Sequence, residues 1–398
     1  MNRIPYGKQH VTQDDINAVV EVLQSDWLTQ GPKIAEFEKA FADYVGAKYA
    51  VAVSNGTAAL HLCTLSLGVK PGDKVITTPI TFAATANCVR YAGGDVVFAD
   101  IDPETYLLDI TEVEKLLKSS PKGTYKGIIP VDFAGRAVNL EAFRQLADEY
   151  GCWIIEDACH APGGYFMDSK GQKQKCGNGN FADLAIFSFH PVKHIAAGEG
   201  GMITTNNEAL YHKLRNLRTH GIQQQPALRQ YDHGVWYYEM QELGFNYRLT
   251  DFQAALGISQ LKRADEGLIK RQEIAQRYNE ALNSPQITNK NLATKQKTKN
   301  NKQQTTNKQS GHAYHLYVVE CEKRKELISY MRENNIFAQV HYIPVHLMPY
   351  YRQFGWKEGD LPNAEKYYDH CLSLPMYPTL TEEEQAYVIS IIKGFFCS

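Results

Sequence analysis

Three short stretches carry side chains that could do chemistry together. SNGTAAL, Ser54 to Leu60, turns an apolar strand pattern through Asn-Gly-Thr, including Gly56 and Thr57, into a helical one. Such a turn leaves unpaired backbone N–H groups and the positive end of a helix dipole, which suit a phosphate. The same residue types also serve as plain helix caps. IIEDACHA, Ile154 to Ala161, ends an apolar run on Asp157. A carboxylate there must be paired or hydrogen-bonded to stay ionised, and a cap is its plainer use. FSFHPVKHIAAGEGG, Phe187 to Gly201, sets Lys193 among apolar residues and glycines, with Ser188 ending a strand pattern. A lysine usually sits on a solvated face, but Gly198, Gly200 and Gly201 permit close backbone approach to a ligand.

One cofactor uses all three stretches. Pyridoxal 5′-phosphate needs a lysine to condense with its aldehyde and a carboxylate to keep its pyridine nitrogen protonated, so that the ring is an electron sink. It also needs donors for its phosphate and an aromatic face. TPITFAATAN offers Phe82 at a strand-to-helix turn, although an aromatic residue there is also ordinary core.

The elements that must position these groups follow from periodicity. Helical spacing runs through DDINAVVEVLQSD and KIAEFEKAFADYVG, separated by the loop SDWLTQGP. From YAVAVS onward, short apolar strands alternate with helices: KVITTPI, DVVFADID, YKGIIPVDFAG, CWIIEDACH, DLAIFSFH and GGMITTN are the later strands. That alternation predicts an α/β domain with a mostly parallel sheet covered on both faces. Ligands of such sheets bind beyond the carboxyl ends of the strands, where the three stretches lie. DFQAALGISQLKRADEGLIKRQEIAQRYNEAL reads as one long helical pattern; HAYHLYVVE, ELISYMRENN and FAQVHYIPVH read as strand, helix and strand of a small α+β domain. We expect a large domain over 1–249, with an N-terminal helical segment, and a small one over 250–398. Within the latter, 283–311 is rich in Lys, Asn, Gln and Thr and reads as a solvated insertion or mobile loop.

Composition excludes several classes. Lys+Arg of 42 against Asp+Glu of 44 leaves a formal charge of −2, which supplies no attraction for nucleic acid or an anionic membrane. No apolar run approaches the roughly 20 residues that span a bilayer, and MNRIPYGKQHVTQDD lacks the apolar core of a signal peptide. The eight cysteines form no C-x-x-C pair, so free thiols and a cytoplasmic setting are expected, with Cys159 as small apolar packing. No metal site is expected.

The motifs IPYGKQ, SDWLTQGP, SNGTAALHL, TPITFAATAN, DIDPETYLLD, IIEDACHAPGG, SFHPVKHIAAGEGGMITTN, GFNYRLTDFQAALGISQL, HYIPVHLMPYY and LSLPMYP, in this order, resemble the DegT/DnrJ/EryC1/StrS family of pyridoxal-phosphate-dependent sugar aminotransferases. The resemblance covers nearly the whole chain except the polar insertion. It implies aminotransferase fold type I. It implies that Lys193 carries the cofactor covalently and then moves the proton, and that Asp157 pairs with the pyridine nitrogen. His160, where many relatives have Gln, would lie near the phenolic oxygen, and Phe82 would stack on the ring. Gly56, Thr57 and Ser188 would hold the phosphate, with Asn246 of GFNYRLTD reaching it from the partner subunit of a homodimer.

VDFAG, SFHPVKHI and VHYIPVHLMPYY look most like the pseudaminic acid branch of the family, and Asp132 replaces the His that many relatives carry. The implied reaction moves an amino group from L-glutamate to carbon 4 of a UDP-linked 4-keto-6-deoxy-N-acetyl-hexose. Two alternatives stand beside it: a dTDP- or GDP-linked keto-deoxysugar as substrate, or a non-catalytic regulatory protein on the same fold. The latter is expected to lose Lys193 or Asp157. Glu199 receives no role.

Overall fold

The computed structural model describes residues 3–223, 229–231, 233–282, 286–290, 295–297, 303–305 and 311–397. Two amphipathic helices come first, α1 (Gln13–Leu23) and α2 (Pro32–Val45). Thr12 and Asp15 form a reciprocal capping box at the start of α1. Pro32 opens α2, and Gly46 closes it at φ 86°, where a side chain would be strained.

The alternating region builds a seven-stranded sheet. In chain order its strands are β1 (Tyr49–Val53), β2 (Lys74–Thr77), β3 (Asp95–Phe98), β4 (Tyr125–Ile129), β5 (Trp153–Asp157), β6 (Leu184–Ser188) and β7 (Gly201–Thr205). Their spatial order is β1-β7-β6-β5-β4-β2-β3. Neighbours from β6 through β5, β4 and β2 to β3 pair in parallel, and β7 runs antiparallel to both β6 and β1.

The helices α3 (Gly56–Ser66), α4 (Ala84–Tyr91), α5 (Ile110–Lys118), α6 (Leu140–Tyr150) and α7 (Glu208–Arg218) connect and cover the sheet. Successive strand residues face opposite cores, as the two-residue strand period requires. Ala52, Ile128 and Ile154 pack with Phe37 and Phe41 of α2. Val51, Ile129 and Ile155 pack with Leu60 and Leu62 of α3 and Leu214 of α7. Burial on both faces is why the strands read as continuous apolar runs.

The long pattern after Leu249 is two helices, α8 (Asp251–Leu261) and α9 (Ala264–Ala281). Arg263 leaves helical geometry between them at φ −118° and ψ 17°, and its guanidinium is held by the buried Asp15 carboxylate and the His10 carbonyl. A third core gathers Ile274 and Tyr278 of α9 with Tyr317, Leu327, Leu372 and Val388. Ile4 joins it, because Ile4–Pro5 pairs in parallel with Ile336–Phe337.

FAQVHYIPVH is a strand only over Ile336–Phe337 and then runs as an extended loop. Gln339 makes a single antiparallel backbone bridge with Ser373, His341 bonds the Ser373 hydroxyl through its side chain at 2.9 Å, and Pro344 lacks the N–H a longer ladder needs. The reading of 283–311 as a solvated insertion falls largely outside the described residues. Within them, Ile287 is buried and Lys295–Lys297 pairs antiparallel with Gln303–Thr305. Among the described residues no helix is long and apolar enough to cross a membrane, and every cysteine is free.

Candidate active site

A cavity of about 650 Å³ opens beyond the carboxyl ends of β1, β2, β5 and β6. Gly56, Thr57, Phe82, Asp157, His160, Ser188 and Lys193 all line it. Asn246 does not; its backbone bridges Thr219 of the same chain. A groove of similar size, about 610 Å³, runs along α1 and the α8–α9 corner, and collects Asp14, Glu21, Lys33 and Lys262 but none of the strand-end groups.

Each cavity residue has a local cause. Asn55 caps α3, its Oδ1 accepting from Ala58 N–H at 2.8 Å. The N–H groups of Gly56 and Thr57 keep no hydrogen bond among the described residues, so the helix start points donors at the cavity. A Cβ on Gly56 would stand 3.1 Å from Cβ of Ser188, so a side chain there would crowd the two strand ends. Phe82 is 63 % exposed, an apolar ring left open to the cavity where a planar ligand could cover it.

Asp157 is buried at the last position of β5. Its Oδ2 accepts from the Thr85 hydroxyl at 2.7 Å, and its Oδ1 accepts from Cys159 N–H at 3.2 Å. Lys193 sits in the loop between β6 and β7, its N–H bonded to His190 O at 2.8 Å. Its Nζ stands 3.4 Å from Nε2 of His315. Burial lowers the Lys193 pKa from the usual lysine range, with the Asp157 charge opposing. A lowered pKa favours the neutral, nucleophilic amine.

His160 is buried, and its Nδ1 accepts from Ala134 N–H at 3.2 Å. Nε2 therefore carries the ring proton and is the donor, 3.2 Å from the Tyr342 hydroxyl. Ala134 holds φ 60° to aim that N–H, a left-handed conformation costing a residue with a Cβ on the order of 1 kcal/mol. The rings of His160 and His315 lie 4.3 Å apart. Burial first, then the Lys193 charge, holds both histidines well below the ordinary range, so both are neutral.

Several cavity groups escaped the sequence reading: Thr85, His315, His341 and Tyr342. Thr85, His341 and Tyr342 stood inside quoted motifs and His315 inside the strand pattern HAYHLYVVE, but nothing in their spacing marks them. Glu199, without a role in the sequence, is exposed on the cavity wall. Arg271 anchors His315 from behind, its guanidinium donating to the carbonyls of Tyr314, His315 and Met376 at 2.9–3.3 Å.

Donors at a helix start, an exposed aromatic face, a bonded carboxylate and a shielded lysine in one cavity fit pyridoxal phosphate. Comparison with known proteins agrees. The DegT/DnrJ/EryC1/StrS aminotransferase family model matches residues 9–393. The spore coat polysaccharide biosynthesis protein SpsC of Bacillus subtilis is 40% identical over 398 residues, 98% of this chain and 96% of that protein. A UDP-4-amino-4,6-dideoxy-N-acetyl-beta-L-altrosamine transaminase of Campylobacter jejuni is 37% identical over 388 residues, 97% of this chain and 95% of that one. Among solved structures, Helicobacter pylori PseC, an aminotransferase of pseudaminic acid biosynthesis, superposes with a TM-score of 0.85 at 29% identity, covering 99% of both chains. A Streptococcus pneumoniae sugar aminotransferase in its PLP-form also reaches 0.85, at 28% identity and 98% of both chains. The chain thus belongs to the DegT/DnrJ/EryC1/StrS aminotransferase family and is a sugar aminotransferase whose cofactor is pyridoxal phosphate.

Proposed function

We propose that the enzyme transfers an amino group from L-glutamate to carbon 4 of a UDP-linked 4-keto-6-deoxy-N-acetyl-hexose, giving UDP-4-amino-4,6-dideoxy-N-acetyl-β-L-altrosamine. The observation that carries the aminotransfer chemistry is the shielded Lys193 amine sharing one cavity with the buried Asp157 carboxylate and the open start of α3. The sugar is supported by the Campylobacter relative and by PseC, each matched over nearly its full length.

When bound, pyridoxal phosphate supplies an aldehyde that carries the amino group and a ring that stores an electron pair. The remaining work falls to the chain. Asp157 would hold the proton on the ring nitrogen by its charge. Lys193 would anchor the cofactor and afterwards move a proton at Nζ, 3.4 Å from neutral His315. His160, protonated at Nε2, would turn that donor to the phenolic oxygen. Phe82 would cover one ring face. Gly56 and Thr57 would bind the phosphate through their free N–H groups, and Ser188 would add its hydroxyl. Asn246 reaches the phosphate of the other subunit's site in a homodimer, in keeping with its absence from its own chain's cavity lining.

A second reading has its own support. SpsC is at least as similar as the Campylobacter enzyme, so another nucleotide-linked keto-deoxysugar, carried by dTDP or GDP, is the competing acceptor. The test supplies purified enzyme with glutamate and a panel of UDP-, dTDP- and GDP-linked 4-keto sugars, and reads the aminated product by mass spectrometry. Preference for the UDP-linked N-acetyl sugar by kcat/KM bears the proposal out; preference for a dTDP or GDP sugar overturns it.

A further inference from the structure

Asp132 lies just past β4, and Glu156 precedes Asp157 on β5. Strand alternation turns Glu156 to the opposite face of the sheet from Asp157. There Asp132, 0% exposed, meets Glu156, 2% exposed, and the thiol of Cys176, with one carboxylate oxygen of each acid and Sγ all within 4.8 Å of one another. One oxygen of each acid is engaged: Asp132 Oδ1 accepts from Val138 N–H at 2.8 Å, and Glu156 Oε2 from Gly177 N–H at 2.9 Å. Among the described residues no N–H or hydroxyl donates to Asp132 Oδ2 or Glu156 Oε1, both buried; their polar neighbours are each other's side chain and the Cys176 thiol. The titratable groups that act most on the pair, beside each other, are Cys176 and Asp157.

Two ionised carboxylates buried side by side without a cation are strongly disfavoured. One proton placed between the two orphaned oxygens removes a charge and satisfies both, as an O–H···O⁻ bond. We propose that Asp132 and Glu156 share a single proton and act together as a positioning pair for Asp157. Burial raises both acids, and repulsion from Asp132 raises Glu156 further, so the pair keeps this proton where ordinary carboxyls have lost theirs.

The backbone carries the coupling. Asp132 N–H donates to Asp157 O at 3.0 Å, and Asp157 N–H donates to Pro130 O at 2.9 Å. Glu156 is the residue next to Asp157. Loss of the shared proton leaves two facing negative charges, drives the acids apart, and pulls on the strand end that presents the Asp157 carboxylate. This role rests on the reading of Asp157 as the partner of the cofactor's ring nitrogen.

The test compares wild-type holoenzyme with Asp132→Asn and Glu156→Gln. At neutral pH, infrared spectra of the wild type are expected to contain a protonated-carboxyl band that each variant lacks, because the introduced amide donates to the remaining carboxylate and holds it ionised. Isotope-labelled aspartate or glutamate in the wild type assigns the band if a variant folds poorly. The folding constant of the wild type is expected to fall relative to Asp132→Asn as pH rises from about 4, by up to about tenfold per pH unit, because the folded state holds a proton that the unfolded chain has released. Reading the difference between proteins cancels the slope from the buried histidines, which has the opposite sign.

Positioning is read from pyridoxal phosphate affinity, followed by the visible absorbance of the bound cofactor. Its alkaline loss is expected to move up by at least about one pH unit in Asp132→Asn, which has no shared proton to lose. No protonated-carboxyl band and parallel stability profiles overturn the shared proton. So does one equivalent of a divalent metal that the wild type retains and Asp132→Asn does not. Coincident alkaline limbs overturn the positioning role. None of these readouts uses a sugar substrate, so an error in the proposed acceptor leaves them unchanged. An error about Asp157 appears separately, as an unaltered cofactor spectrum in Asp157→Asn.

Discussion

The Thr85 hydroxyl donates to Oδ2 of Asp157 at 2.7 Å, and the Thr81 hydroxyl lies 2.8 Å from that of Thr85. Thr85 has one proton and directs it at the carboxylate, so Thr81 donates to Thr85. A threonine chain from the start of α4 thus orients a carboxylate at the end of β5. Asp157→Asn keeps the shape and removes the charge. We expect a loss of at least about a hundredfold in turnover, about 2.7 kcal/mol of barrier. Thr85→Val, which only frees the carboxylate, should cost about tenfold, on the order of 1.4 kcal/mol. Steady-state kinetics check both; a loss under threefold in Asp157→Asn reduces Asp157 to a cap.

Lys193→Ala removes the amine while leaving its loop bonds intact, since Lys193 N–H and Ala197 N–H hold the backbone. Turnover should vanish, the absorbance of covalently held cofactor should disappear, and the thermal midpoint should stay within a few degrees. Near-normal aminotransfer in this variant sinks the assignment.

The buried histidines predict an acid limb of stability. His160, His194, His312 and His315 are held well below the ordinary value of 6.5, and burial pushes His341 down to about 3. Below about pH 6.5 the unfolded chain takes up protons that the folded state refuses, so stability falls as pH falls. Each such histidine contributes up to about 1.4 kcal/mol per pH unit. His315→Asn should flatten the slope by one histidine's share, read from urea midpoints between about pH 7.5 and 5. Equal slopes in variant and wild type would show that His315 titrates normally.

Asn246 tests the shared site. Lys193→Ala and Asn246→Asp are each expected to be inactive, the latter because a carboxylate repels the phosphate. In a mixed dimer both lesions fall in one site and the other site is whole. Activity should return toward half of that dimer's capacity, diluted by the inactive parent dimers. Confirmed subunit exchange without recovered activity places Asn246 in its own chain's site or in none.

Much of this architecture is written locally. Apolar runs buried on both faces mark β1 to β7, and capping residues such as Asn55, Asn139 and Thr250 mark helix starts, because strand and helix periods depend on neighbours in the chain. Asp157 and Lys193 were legible for the same reason, as charged groups that interrupt apolar runs at strand ends. The turn between α8 and α9 was not, since a bond from Arg263 to Asp15, 248 residues away, holds it. Nor was His315, which meets Lys193 across 122 residues, nor the meeting of Asp132 with Glu156 beneath the sheet. Contacts between distant segments have no period; they exist only once the strands are ordered and the loops beyond them are brought together.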